Sequence, residues 1–155
     1  MAIEIERKFL LKYNPCNFSF KRSKILQGYL KKDKETVIRV RIADDQGFLT
    51  VKGETKNSAR LEFEYPIPED DALFMIEKLC HRPVIEKTRY FINYNGMEWV
   101  VDEFFKENKG LLLAEVELEN QDQLFEEPDW IGKEVTNDPK YYNSNLVENP
   151  FSEWK

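Results

Sequence analysis

Like-charged side chains recur two residues apart along this chain: Glu4/Glu6, Arg39/Arg41, Glu62/Glu64, Lys87/Arg89 and Glu115/Glu117, with Lys8 following the first pair. In an extended strand, positions i and i+2 point to one face and lie about 6.5–7 Å apart. Two Glu at that spacing can converge on one cation, and two Arg or Lys on one polyanion. Unit charges about 4 Å apart interact by about 4 kcal/mol at an effective dielectric of about 20. Acidic pairs held that close call for a divalent metal, and basic pairs call for phosphates. The alternative is a half-buried sheet with its charged face in water and ion pairs across strands. A solvated face, however, normally intersperses its signs and uses Ser, Thr and Gln, which are scarce in these segments. If the charged face lines the inside of a barrel, one ligand meets both demands: a metal-bound polyphosphate.

The elements that must carry these residues are legible by parity. Strand-like segments cover about 2–11, 24–32, 36–43, 47–53, 60–67, 84–94, 97–105 and 111–119. Arg39 and Arg41 oppose Ile38, Val40 and Ile42, and Lys52 opposes Leu49 and Val51. Glu62 and Glu64 oppose Leu61, Phe63 and Tyr65, while Glu115, Glu117 and Glu119 oppose Ala114, Val116 and Leu118. Asp102 shares a face with Val100, away from Trp99 and Val101. Asp44-Asp45-Gln46-Gly47 and Tyr94-Asn95-Gly96 carry hairpin-turn chemistry. Ala72, Leu73, Ile76, Leu79 and Cys80 follow helical spacing behind the acidic Glu69, Asp70 and Asp71, which predicts a helix over 69–80. Short helical pieces are expected near 121–126 and 143–147. Eight strands with so little helix point to an antiparallel sheet curling into a barrel, which removes exposed edges.

Composition narrows the classes. A charged fraction of 34% exceeds the average of about 25%, so the excess needs water or partners. The net charge of −6 repels a nucleic-acid backbone on average, so no nucleic-acid partner is expected. The first residues are charged, which predicts no signal peptide, and no run of 18 apolar residues is present to span a membrane. Cys16 and Cys80, without metal-site spacing, suggest reduced thiols and a cytoplasmic setting. One histidine, His81, leaves no material for a zinc site, so a metal here would be a hard one held by carboxylates.

The ordered set of motifs resembles a known family. Glu4-x-Glu6-x-Lys8, the Arg39-x-Arg41 strand, "TVKG" with Lys52, "LEFEYPI", "EKTRY", "VDEF" and "AEVELE" are similar to the CYTH domains. These are the triphosphate tunnel metalloenzymes, which include class IV adenylate cyclases, thiamine triphosphatases and bacterial inorganic triphosphatases. The tail "IGKEVTNDPKYYNSNL" looks like that of the short bacterial single-domain members. The resemblance implies an α+β, mainly β, fold: a closed eight-stranded antiparallel tunnel with flanking helices, one domain over residues 1–155. It implies divalent-metal-dependent hydrolysis of a small-molecule triphosphate, foremost inorganic triphosphate, with nucleoside or thiamine triphosphate as variants. A class IV adenylate cyclase and a non-catalytic polyphosphate or nucleotide sensor are the rival readings. Carried over by position, Glu4, Glu6, Asp102, Glu115 and Glu117 would hold Mg²⁺ or Mn²⁺. Lys8, Arg39, Arg41, Lys52, Lys87 and Arg89 would grip the triphosphate. Tyr29 would partner Lys52 at the reacting phosphorus, and Glu62, Glu64 and Glu119 would orient the basic residues. Arg7 and Arg60 are expected solvated or ion-paired, and Lys133, Glu134 and Lys140 at the surface or the tunnel mouth. The chain is expected to act as a monomer or homodimer.

Overall fold

In the computed structural model, which describes residues 2–154, the charged face of the sheet is turned inward. The strands are β1 (Ile3–Leu11), β2 (Lys21–Lys32), β3 (Thr36–Ala43), β4 (Gln46–Gly53), β5 (Ala59–Ile67), β6 (Ile85–Tyr94), β7 (Met97–Phe104), β8 (Leu112–Glu117) and β9 (Ile131–Glu134). They pair in the order β5-β4-β3-β2-β6-β7-β8-β1-β9, and a further β1–β5 pairing closes the first eight into an antiparallel barrel. That seam is short. Ile3, Glu4 and Ile5 meet Leu61, Arg60 and Ala59, after which β1 leaves β5 and pairs with β9 from Phe9 to Leu11. Asn95 and Gly96, both at positive φ (49° and 81°), make the two-residue turn between β6 and β7 that suits twisted strands.

With charge inside, the apolar parity must be covered from outside. Helix α1 (Glu69–Lys78) lies over β2–β4, and its Ala72 and Ile76 pack with Val40, flanked by Leu26, Ile42 and Leu49. Acidic residues fill its first turn and Lys78 its last, matching the helix dipole. Across the barrel, the segment after β8 covers Phe9, Trp99, Val101, Ala114 and Val116. Trp99 is the anchor, with ring centroids 5.8 Å from Phe125 and 5.9 Å from Trp130. Leu61, Phe63 and Tyr65 on the outer face of β5 are left exposed.

The inward parity itself turns apolar at one end. Val37 precedes Arg39, Ile85 precedes Lys87, Leu113 precedes Glu115 and Phe104 follows Asp102. These four pack with Val135, Leu146 and Val147 of the C-terminal segment, which plugs the barrel there.

Several expectations need correction. No helix forms over 121–126: the Asn120 side chain accepts from the Asp122 amide at 3.0 Å and Gln123 from the Glu119 amide at 2.6 Å, local bonds that compete with a helix. Residues 143–147 form successive turns rather than a helix, beginning with the Asn145 amide on the Tyr142 carbonyl at 2.9 Å. β8 ends at Glu117, so Glu119 lies past the strand, exposed and outside the tunnel lining. The helix expected to Cys80 ends at Lys78, β2 begins at Lys21 because Lys21–Lys24 continue the ladder with β6, and β9 was not anticipated. No helix of the described residues is long and apolar enough to cross a membrane.

Close packing of α1 depends on Gly47. A Cβ there would meet the Ala72 Cβ and the Ile67 carbonyl oxygen, both at 2.9 Å. Gly47→Ala should cost about 1–3 kcal/mol in chemical denaturation, as overpacking does. An unchanged denaturation midpoint would contradict this helix–sheet contact.

Candidate functional site

The barrel encloses a cavity of about 240 Å³. Thirteen of the fifteen residues given a site role from the sequence line it: Glu4, Glu6 and Lys8 from β1; Tyr29 from β2; Arg39 and Arg41 from β3; Lys52 from β4; Glu62 and Glu64 from β5; Lys87 and Arg89 from β6; Glu115 and Glu117 from β8. Asp102 and Glu119 are absent from the lining.

Most of the cations are held by carboxylates on neighbouring strands. Lys8 stands opposite Glu115 and reaches it at 3.3 Å. Lys52 contacts Glu62 at 3.0 Å and Glu4 at 3.2 Å. Arg39 donates to Thr50 Oγ1 at 3.3 Å, and that hydroxyl donates onward to Glu64 at 3.1 Å. Asp102 sits behind the wall, 2% exposed, receiving Lys87 at 2.9 Å and Arg89 at 2.8 and 2.9 Å. Burial alone would raise the Asp102 carboxyl, but Arg89 and Lys87 hold it well below the usual range. Both of its oxygens therefore receive cations in this structure, and Asp102 lies behind the cavity lining. Glu115 follows the same logic: burial opposes its ionisation, but Lys8 and Arg89 bring it down to about 2.

Arg41 is the exception. It lies opposite Gln27, and its Nε donates to the neutral Gln27 Oε1 at 3.0 Å; no carboxylate of a described residue pairs with it. Burial, then Arg39 and Arg89, lower its pKa to about 9. The Nε of Arg39 is also buried without a hydrogen-bond partner among the described residues. Both guanidiniums are thus incompletely satisfied by the protein, the condition that favours an anion.

On the acidic side, Glu6 and Glu117 face each other across β1 and β8 and enter no ion pair with a described residue. Removal from water, then Glu115 and Glu4, raise the Glu6 carboxyl to about 7. Glu117 is raised in the same direction by burial and by Glu4 and Glu62. Among the described residues no group of three carboxylates converges closely enough to form a metal cage. The donors are all hard oxygens, and Glu6 and Glu117 repel each other and lack counterions, a chemistry that suits a hard divalent cation.

Parity located the charges but missed neutral members of the site. Gln27, fully buried, donates through Nε2 to the Tyr29 hydroxyl and to Asn143 Oδ1, each at 3.0 Å. Asn143 Oδ1 also accepts from Lys87 Nζ at 2.8 Å, and the Tyr141 carbonyl accepts from Lys8 Nζ at 3.2 Å. Gln27 was findable as the residue two before Tyr29 on the inward face; Asn143 lies in turns and carries no periodic signal. Tyr29 and Lys52 line one cavity, and the Tyr29 hydroxyl is bonded to Gln27 while Lys52 is bonded to carboxylates. Arg60 lines the cavity and lies 3.6 Å from Glu4. Arg7 and Glu134 pair outside the tunnel, and Lys140 stacks 4.1 Å over Trp154.

Removing Asp102 takes away the one carboxylate among the described residues paired with Lys87, which is only 3% exposed, and leaves Arg89 with Glu115 alone. Asp102→Ala should therefore lose about 3–5 kcal/mol of stability in metal-free buffer, whereas Glu117→Gln should not destabilise. Equal melting temperatures for Asp102→Ala and the wild type would reject the buried triad. Glu6, with a carboxyl raised from 4.5 to about 7, keeps its proton longer in the folded chain than in the unfolded one. Its contribution to stability thus falls as pH rises between those values. Glu6→Gln should gain in melting temperature relative to the wild type from pH 5 to pH 7; a constant difference would contradict the shift.

A model of the CYTH domain matches residues 2–146. The chain is 48% identical over 155 residues to a protein of Acetivibrio thermocellus named inorganic triphosphatase, covering 100% of this chain and 99% of that one. It is 34% identical over 149 residues to one of Nitrosomonas europaea with the same name, covering 93% and 96%. A crystal structure of an inorganic triphosphatase superposes with a TM-score of 0.68 at 33% identity, covering 95% of each chain. With its two-signed interior inside a closed antiparallel barrel, the chain belongs to the CYTH domain family.

Proposed function

We propose that this chain is a divalent-metal-dependent triphosphatase whose substrate is inorganic triphosphate. The observation that carries the reading is the division of one cavity into carboxylates without counterions, Glu6 and Glu117, and guanidiniums without full partners, Arg39 and Arg41. A metal-bound polyphosphate satisfies both at once. The names of the two relatives support the same substrate.

In this reading the whole tunnel acts as one domain. Glu4, Glu6 and Glu117 hold Mg²⁺ or Mn²⁺, with Glu115 beside them. Bound there, the cation supplies Lewis-acid neutralisation of phosphate charge and acidifies water. Arg39, Arg41, Lys8, Lys87 and Arg89 bind the oxygens of the chain, fixing it for in-line attack by water and stabilising the diphosphate that leaves. Lys52, anchored by Glu4 and Glu62, and Tyr29 act at the reacting phosphoryl group. Asp102 is assigned as a positioning residue that aims Lys87 and Arg89, and Glu62 and Glu64 do the same for Lys52 and Arg39. The free thiols of Cys16 and Cys80 agree with a cytoplasmic setting. A cyclase needs a face on which a base can stack. Among the described lining residues Tyr29 and Tyr142 are the aromatic ones, and Tyr29 is itself buried beside Gln27.

Phosphate release should be rapid with triphosphate and Mg²⁺ or Mn²⁺, slower with ATP, GTP and thiamine triphosphate, and abolished by EDTA. Turnover that survives exhaustive EDTA treatment would exclude the metal assignment. Tight triphosphate binding without phosphate release would identify a sensor, and cyclic nucleotide formation a cyclase.

A further inference from the structure

Gln27 and Asn143 form a closed chain of donors and acceptors whose direction is fixed by its ends. Arg41 and Lys87 can only donate. Arg41 Nε at 3.0 Å therefore requires the oxygen of Gln27, and Lys87 Nζ at 2.8 Å requires the oxygen of Asn143. The Gln27 amide nitrogen is left to donate to Asn143 Oδ1 and to the Tyr29 hydroxyl, both at 3.0 Å. Tyr29 thus accepts from the protein, and its own proton is directed elsewhere. Gln27 is fully buried, so its own amide is not shared with bulk water.

The neutrality of the two amides matters as much as their direction. Lys8, Lys52, Arg39, Lys87 and Arg89 each have a carboxylate partner. Where β2 meets β3 beside Arg41, the chain places an amide instead. Gln27 orients the guanidinium without neutralising it, and Asn143 brings Lys87 a second acceptor without adding charge.

We propose that Gln27 and Asn143 are positioning residues of the triphosphate site, a neutral amide relay that aims Arg41 and Lys87 at the anion while keeping their charge, and leaves the Tyr29 hydroxyl proton free to donate. The proposal rests on the triphosphate reading above. The relay explains why an uncharged, fully buried Gln stands opposite Arg41, where the other cations of the cavity meet carboxylates. It also gives the C-terminal segment a part in the site: the turns that carry Asn143 are the ones whose Leu146 and Val147 plug the barrel.

The direct test uses Gln27→Glu and Asn143→Asp in the full chain. Each keeps the shape and places a carboxylate where an amide stood. Triphosphate affinity is measured by calorimetry with and without Mg²⁺, alongside phosphate-release kinetics and thermal unfolding. The relay requires affinity to fall by about tenfold or more in each variant, because the new carboxylate competes with the substrate for the same cation. KM should rise with it. In Gln27→Glu, kcat should fall as well, since the carboxylate would accept the Tyr29 O–H hydrogen bond and turn that donor away from the substrate. Melting temperatures should hold or rise, because each carboxylate gains a cation. If Gln27→Glu does not fold, the Asn143→Asp result at its half-buried position decides. Wild-type affinity and KM in the folded variants, or losses only in proportion to lost folded protein, would overturn the relay. A wild type that binds triphosphate without hydrolysing it would overturn the functional reading alone, because the affinity comparison needs no turnover. A wild type that binds no triphosphate would overturn both.

Discussion

The fold depends on keeping a barrel interior charged. Buried charges cost several kcal/mol each unless they are paired and hydrogen-bonded. This barrel meets that cost by cross-strand matching: Lys8 opposite Glu115, Lys52 opposite Glu62, Arg89 opposite Asp102. Pairing register therefore fixes the electrostatics, since a slip by one residue would turn every charge outward. The matching is deliberately incomplete at two places. Arg41 meets an amide and Glu6 meets another carboxylate, Glu117. Those two faults, one of each sign, define what the cavity is made to receive.

The charged interior displaces the hydrophobic core to the outside of the sheet. Burial of apolar surface remains the main driving force, and here it is achieved between the barrel and its coverings: α1 over Val40, and the segment carrying Phe125 and Trp130 over Trp99 and Val101. The plug of Val37, Ile85, Phe104 and Leu113 against Leu146 and Val147 is the part of the core that lies within the barrel. It joins folding to function, because the same turns that bury Leu146 deliver Asn143 to Lys87. The coverings leave β5 bare, so Leu61, Phe63 and Tyr65 remain in water although their alternation is as regular as that of β3.

Alternation made the inner and outer faces legible, since a strand has only two and charge marks one of them. It placed Arg39, Arg41, Lys87, Arg89 and the carboxylates of β1 and β8 in one cavity. It could not tell a carboxylate that waits for a ligand from one already taken by cations. Asp102 and Glu6 look alike in sequence, and only cross-strand neighbours separate them. Glu119 kept the parity after the strand itself had ended. β9 is four residues long and has no alternating pattern; β1 recruits it after leaving β5. Gln27 and Asn143 were obscure for a different reason: neutral amides carry no charge pattern, and their meaning lies in which donors face them.

The central claim of the proposed function is that the incompletely paired groups of the two signs lie apart, so that the metal would be held beside Glu4, Glu6 and Glu117 and the phosphate chain beside Arg39 and Arg41. Anomalous diffraction from crystals grown with Mn²⁺ and triphosphate tests it most directly. The expected result is a manganese peak bounded by Glu4, Glu6 and Glu117, with Asp102 still paired to Lys87 and Arg89. A manganese peak at Asp102, or triphosphate density with no manganese beside these glutamates, would contradict it.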